Sequence, residues 1–434
     1  MVLFGLLFAF LILGVPIAAS MGISALVYML MDGVNPIVVI QKLFAGIDST
    51  AYLAVPFFIL AGELMNRGGI ARRIVNLAEK AVGNIHGGMG IVAIISSMFF
   101  AAISGSAIAT AAAIGGVMYA GMLRSGYSKG FSATIVAASS PIGIIIPPSI
   151  AFIIYAVLAR VSVADLYKVG FPAGFIVGIA LIIPTYFIAK KRKYMDRASD
   201  IESGEIVLHG VPELKSKKEI SFAKNLIESL WALGTPFIIV GGVFAGIFTP
   251  TESAVVAVVY SILVGMFVYK EITIRDLGPI FNGAAKGTAG LMLIMSAASL
   301  FAYVMVLARI PQTVFATVQN FEGSFFIIML MINLILLVAG MFMESGSIQY
   351  IAVPVLLPIV MSFGMDPVHF GIILVTNLAI GMLTPPFGVT LFTSAKTFNT
   401  SIQEVSIETF PYLAALLVAL LFITYVPASV MWIV

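Results

Sequence analysis

Apolar residues run along this chain in unbroken stretches instead of alternating with polar ones. Residues 2–30, 171–189, 230–248 and 412–434 each match or exceed the roughly 20 apolar residues that cross a bilayer. Run length predicts about ten or eleven full spans, plus shorter apolar segments that need not cross. The alternating pattern of a membrane β-barrel is absent, so the expected fold is an all-α polytopic membrane protein. The first apolar stretch has no basic leader and no small-residue cleavage site before Gly22. It therefore reads as a retained span and not as a removed signal.

One long polar segment interrupts the pattern. Residues 190–225 open with Lys190-Lys191-Arg192-Lys193 and contain Asp196, Glu202, Glu205, Glu213, Lys217 and Lys218. The segment divides the chain into halves at 1–189 and 226–434. An excess of Lys and Arg marks cytoplasmic loops, which places this linker in the cytoplasm and the cluster Arg67, Arg72, Arg73 and Lys80 on the same side. Both clusters read as topogenic charge.

The two halves share landmarks. Ser104-Gly105-Ser106 is followed by Gly143-Ile144-Ile145-Ile146-Pro147-Pro148, and about 240 residues later Ser345-Gly346-Ser347 is followed by Gly381-Met382-Leu383-Thr384-Pro385-Pro386. Ser139 and Asn377 each stand four residues before the glycine, and Ile142 and Ile380 immediately before it. The same landmarks in the same order argue for duplication of one structural unit. Paired prolines remove amide donors and push the preceding residue out of the helical region, so each Pro-Pro element predicts a break inside a span, within about 132–159 and about 370–397. Irregular backbone is tolerated in a bilayer only where protein or a water-filled cavity surrounds it. A break leaves carbonyls at the end of one half-helix and amides at the start of the next, with dipoles of matching sign. The carbonyls suit sodium and the amides suit a carboxylate, and duplicated secondary transporters place their sites at such paired discontinuities. The Ser-Gly-Ser elements, set between apolar arms too short for two comfortable crossings, predict re-entrant hairpins at about 91–123 and about 325–363, with tips that meet the breaks.

Composition removes the alternatives. Of 434 residues, 61% are hydrophobic and 10% charged, against about 25% charged in soluble domains, so a water-soluble fold is excluded. There is no cysteine for a disulfide or thiolate site, and a net charge of +3 carried at span ends gives no reason to expect nucleic acid. Ionisable residues within apolar stretches are functional candidates. Here they are Glu63, Glu252 and Glu344. Glu344 adjoins the second hairpin tip, where it either tunes a cation site or pairs with a basic neighbour. Glu252 follows Thr249-Pro250-Thr251, a helix start that suits an acid. Arg309, just before Pro311, offers a two-pronged partner for a substrate carboxylate and fits snorkelling from a helix end equally well. His209 and His369 lack companions for a metal or for acid–base work, and no nucleophile with a base is visible, so no enzyme is expected.

The residues also carry a family resemblance. Ala54-Val-Pro-Phe-Phe-Ile-Leu-Ala-Gly-Glu63, Ala102-Ile-Ser-Gly-Ser-Ala107, Gly143-Ile-Ile-Ile-Pro-Pro148, Gly246-Ile-Phe-Thr-Pro-Thr-Glu252 and Asn377-Leu-Ala-Ile-Gly-Met-Leu-Thr-Pro-Pro-Phe-Gly388 resemble the large membrane subunit, DctM or SiaM type, of tripartite ATP-independent periplasmic (TRAP) transporters, and they cover nearly the whole chain in the expected order. The resemblance implies inverted repeats, two re-entrant hairpins, and a mobile transport region that moves as an elevator against a scaffold in the bacterial inner membrane. It implies sodium-driven uptake of an organic acid, with a lean toward sialic acid (N-acetylneuraminate) over a C4-dicarboxylate or another sugar acid. A passive anion channel is the rival from a different class. The implied partners are a small four-helix membrane subunit on a separate chain and a soluble periplasmic substrate-binding protein. Carried over by position, it implies at least two sodium sites, one at Ser104, Ser106, Gly143 and Ser149 and a second at Gly340, Gly381, Thr384 and the carbonyl of Phe387. Ser139, Asn377, Ser345, Ser347 and Arg309 are the substrate candidates, although Ser139 and Asn377 also fit helix-to-helix hydrogen bonds.

Overall fold

A computed structural model describes residues 2–83, 85–194, 222–319 and 324–434, together with Asp196, Ala198 and Ile201, and no strand occurs among the described residues. Most of the expected linker, with His209, Glu202, Glu205, Glu213, Lys217 and Lys218, lies outside them. The first half contains α1 (Val2–Ile12), α2 (Ile17–Met31), α3 (Ile37–Ala45), α4 (Ala54–Arg67), α5 (Ile70–Val82), α6 (Gly88–Ser104), α7 (Ala107–Arg124), α8 (Lys129–Ser139), α9 (Ile150–Ala159) and α10 (Val163–Lys191). The second contains α11 (Phe222–Pro236), which continues into a π-helical turn at Phe237–Gly241, then α12 (Pro250–Leu263), α13 (Ile274–Leu307), α14 (Ile310–Gln319), α15 (Phe325–Phe342), α16 (Ser345–Ser362), α17 (Pro367–Gly381), α18 (Val389–Phe398), α19 (Ile402–Tyr425) and α20 (Ala428–Met431).

Among the described residues seven helices are long and apolar enough to cross a membrane, or eight if the pair Ile37–Ala45 and Thr50–Arg67, bent by 59°, counts as one. Apolar run length counts more because the structure divides several runs. Residues 2–30 become α1 and α2, and the two Pro-Pro stretches become α8 with α9 and α17 with α18.

The half-helices that lead into the breaks are the most enclosed elements. Every residue of α8 from Gly130 to Ser139 is buried, as is every residue of α17 from Val368 to Gly381. Broken backbone in a bilayer requires this enclosure. α17 packs on α15, and α8 packs on α7 and α18. Helix starts are closed by side chains that replace water: Ser106, Ser128, Ser149, Ser162 and Ser401 each accept from the amide three residues on, satisfying donors that a helix end leaves unpaired. Glu252 closes a capping box with Thr249, the helix-start role its sequence position suggests. Ion pairs join distant segments: Arg72 and Arg73 lie 2.5 and 2.7 Å from Glu271, and Arg192 bonds Glu408 at 2.8 Å.

A buried hydrogen bond joins distant parts of the chain. The hydroxyls of Tyr52, in the turn before α4, and Tyr350, on α16, meet at 2.9 Å. Phenylalanine at either position strands the other hydroxyl. Each single variant is expected to lose about 1 kcal/mol, the range for hydrogen bonds between membrane helices, and the double variant to recover most of it. Thermal unfolding of the detergent-solubilised protein measures this, and single variants as stable as wild type would show the bond to be idle.

Candidate functional site

The first hairpin turns at Gly105, whose φ of +59° is a conformation that glycine adopts without steric cost. A Cβ there would sit 2.8 Å from the Pro148 carbonyl oxygen, so the tip lies directly on the first break. The contact is reciprocal. A Cβ at Gly143 would sit 2.7 Å from Thr110 Oγ1 and 2.8 Å from the Ser106 carbonyl oxygen. Thr110 donates to that carbonyl at 2.8 Å and shares a hydrogen bond with Ser104 Oγ, also at 2.8 Å. Across the break, Ser149 donates to the Ile144 carbonyl at 2.6 Å while its Oγ caps α9. Ser104, Ser106, Gly143 and Ser149 thus lie on a tip and a break that touch, where carbonyl and hydroxyl oxygens gather.

The second half reaches the same result differently. Its turn falls at Met343 and Glu344, with Met343 extended and Glu344 preceding the first helical residue. Ser345-Gly346-Ser347 is therefore the first turn of α16 and not the tip that its likeness to the first element suggests. The contact with the break is made by Gly340 near the end of α15. A Cβ at Gly381 would lie 2.6 Å from Gly340 Cα and 2.7 Å from its carbonyl carbon. Thr384 donates to the Ile380 carbonyl at 2.8 Å, and Thr390 ties the break to α18 through the Met382 carbonyl at 2.9 Å. The Phe387 ring is exposed and packs 5.0 Å from that of Phe342. Both the Pro147-Pro148 and Pro385-Pro386 bonds are cis.

Between these elements lies a cavity of about 390 Å³. One wall is α4, with Gly62, Glu63 and Asn66, joined by Gly287 and Leu291 of α13. The opposite wall is made of helix beginnings: Ala107 and Ala109 of α7, Ile150 and Ala151 of α9, and Ser345 and Gly346 of α16. Three helix N-termini therefore open onto one space, and helix N-termini are ready-made anion sites because their amides point outward with a positive partial charge. The lining includes Glu63 and Glu344 but no lysine, arginine or histidine. An anion placed here would meet backbone amides and hydroxyls and no basic side chain, beside the carboxyl groups of Glu63 and Glu344.

The expected substrate residues divide. Ser345 lines the cavity, as do Ser104 and Ser106 of the first expected sodium set. Ser139 does not; its hydroxyl meets Ser97 Oγ at 2.9 Å inside the helix packing. Asn377 donates to the Asn333 carbonyl and to its side-chain oxygen, both at 2.9 Å. Ser347 is fully buried, and its Oγ, together with Asn377 Oδ1, Thr376 Oγ1 and both amide atoms of Gln349, has no partner among the described residues. Arg309 is exposed in the turn between α13 and α14, with φ of +53°, away from the cavity lining. His369 Nε2 meets the Ile423 carbonyl at 2.9 Å. Sequence reasoning missed Thr110, Asn66, Asn333 and Gln349. Thr110 was within reach, because four residues after Ser106 its hydroxyl falls one turn above the tip carbonyl. No group of three or more His, Cys, Asp or Glu side chains that could hold a metal occurs among the described residues.

Comparison with known proteins identifies this architecture. Residues 4–429 match the family described as tripartite ATP-independent periplasmic transporter, DctM component. The chain is 41% identical to the isethionate TRAP transporter permease protein DctMQ of Oleidesulfovibrio alaskensis, over 99% of this chain and 66% of that protein. It is 38% identical to the C4-dicarboxylate TRAP transporter large permease protein DctM of Pseudomonas aeruginosa, over 94% of this chain and 92% of the relative. It is also 38% identical to the sialic acid TRAP transporter permease protein SiaT of Haemophilus influenzae, over 96% of this chain and 65% of that protein. Among solved structures, the Alcanivorax borkumensis YdaH transporter aligns with a TM-score of 0.56 at 12% identity, over 89% of this chain and 86% of the other, a likeness of fold alone. The chain belongs to the DctM component family of tripartite ATP-independent periplasmic transporters.

Proposed function

We propose that this chain is the large permease of a sodium-coupled, binding-protein-dependent secondary transporter that brings an organic anion across the bacterial inner membrane. The observation that carries the reading is the meeting of three helix N-termini at one cavity, with each hairpin packed on its break, through its tip in the first half and through Gly340 in the second. Sodium at the first contact (Ser104, Ser106, Gly143, Ser149) and at the second (Gly340, Gly381, Thr384 and the Phe387 carbonyl) would tie each hairpin to its break and offset the charge of Glu63 and Glu344. The anion then binds against the helix starts with Ser345 and Ser106 beside it. Alternating exposure of this cavity requires the α4 wall to slide past the hairpin wall, an elevator movement in which the Tyr52–Tyr350 bond breaks and re-forms.

The family descriptions support the partners, a small membrane subunit and a periplasmic binding protein that delivers the substrate. Relatives named for isethionate, a C4-dicarboxylate and sialic acid are 41%, 38% and 38% identical to this chain, so similarity gives sialic acid no precedence over the other two. The substrate is accordingly proposed as a small organic acid, with sialic acid as one member of the set to test.

Proteoliposomes that contain both membrane subunits separate this reading from a passive anion channel. Uptake of labelled acid is expected only with an inward sodium gradient and the binding protein present. Uptake that needs neither would overturn the proposal. Within the same assay Thr384→Val removes the hydroxyl at the second break while keeping its shape. The sodium concentration for half-maximal uptake is expected to rise about tenfold, equivalent to about 1.4 kcal/mol, and an unchanged value would detach Thr384 from the ion site.

A further inference from the structure

A second cavity, of about 540 Å³, lies against a different face of α6. Its walls come from α6 (Met98, Ala102), the first break (Ile146), α10 (Phe175) and the π-helical turn after α11 (Phe237, Gly241). Every lining residue is apolar or glycine, so it offers no donor or charge to an anion, a cation or an ordered water, each of which needs polar partners. The mouth opens on the apolar outer surface, since Phe175, on the spanning helix α10, and Phe237, on the shorter apolar helix that holds the π-helical turn, are 45% and 72% exposed. The floor is not: Ala102 and Ile146 are 4% and 2% exposed. The π-helical turn, a feature that tends to mark functional sites, forms the outer wall. At Gly241 a Cβ would meet nothing within 4 Å, so the space there is open.

We propose that this cavity takes one acyl chain of a bilayer phospholipid, which enters between α10 and the π-helical turn and packs on the back of the first break through Ile146. A hydrocarbon chain is the species of matching chemistry that a bilayer supplies, and filling the space restores contacts that an unfilled apolar void forfeits. The bilayer thereby touches the element whose front face carries the first proposed cation site. The proposal rests on the membrane location of the chain and not on its cargo.

The test uses the complex of both membrane subunits in vesicles of phosphatidylethanolamine and phosphatidylglycerol, doped with a phospholipid that carries a diazirine at one acyl terminus. After illumination, adducts are expected on Met98, Ala102 and Ile146 as well as on the lipid face, for example at Val418. In Gly241→Leu, which fills the open space, adducts on Ala102 and Ile146 are expected to disappear while those on Val418 remain. Three outcomes would overturn the proposal: adducts on Phe175 and Phe237 with none on Ala102 or Ile146, inner adducts that survive Gly241→Leu, or inner residues shielded by the small subunit. If Gly241→Leu does not assemble, the wild-type adduct map decides alone.

Discussion

Gly381→Ala is expected to abolish the uptake proposed to be driven by sodium while the chain still inserts and assembles with the small subunit. The added methyl would lie 2.6 Å from Gly340 Cα, 2.7 Å from its carbonyl carbon and 3.0 Å from the Leu337 carbonyl oxygen. All three are backbone atoms, so no side chain can rotate away, and α15 and α17 must part. Overpacking of a tight core costs typically about 1–3 kcal/mol, which a bundle of this size tolerates. The carbonyl cage proposed for sodium would not tolerate the shift, because its oxygens would have to converge within a few tenths of an ångström. Gly143→Ala is expected to act in the same direction and less severely, since one of its two closest neighbours is the Thr110 hydroxyl, which can move. Uptake in proteoliposomes, with membrane yield as the control, measures both. Wild-type uptake by Gly381→Ala would remove the glycine contact from the transport mechanism.

The second large effect is expected from Ala109→Asp. Ala109 lies in the first turn of α7, its side chain exposed toward the cavity and its amide 3.4 Å from Ser106 Oγ. An aspartate there suits the helix, because an acid near a helix N-terminus gains about 0.3–1 kcal/mol, so folding should not suffer. Binding should. The new carboxylate would occupy the end of the dipole at which the anion is proposed to bind, and like charges about 4 Å apart repel by about 4 kcal/mol at an effective dielectric of 20. The KM for the acid is expected to rise by at least about a hundredfold, whereas Ala109→Asn should stay near wild type. An unchanged KM in the aspartate variant would place the anion elsewhere.

The breaks were legible in the sequence because proline acts locally and covalently: two adjacent rings stop a helix whatever surrounds them, and the duplicated Gly-x-x-x-Pro-Pro pattern marked both. The first tip was legible for a similar reason, since Gly105 takes a conformation that most residues avoid. The second was misplaced because Ser345-Gly346-Ser347 matches the first tripeptide in composition, yet no glycine there has positive φ, and the extended Met343 makes the turn instead. Ser139 and Asn377 show where local pattern runs out. Their polarity and spacing were plain, but whether they face a cavity or a neighbour depends on the rotation of α8 against α6 and of α17 against α15. That rotation is fixed by packing with residues such as Ser97 and Asn333, far away in the chain. Glu63 and Asn66 reach the cavity for the same nonlocal reason, because α4 is brought there by its packing on α13 and α6. The paired tyrosines 52 and 350 have no local signature at all.

The helix starts that open onto the central cavity give the fold an evolutionary freedom. A peptide N–H is present whatever side chain the residue bears, so the attraction proposed for negative cargo would survive almost any replacement at Ala112, Ile108 or Ile154 along the lining. Such replacements reshape the room without dismantling its grip. A lineage built this way can exchange one acid for another by a handful of changes in bulk, which fits relatives whose names span several unlike acids on a single chain architecture.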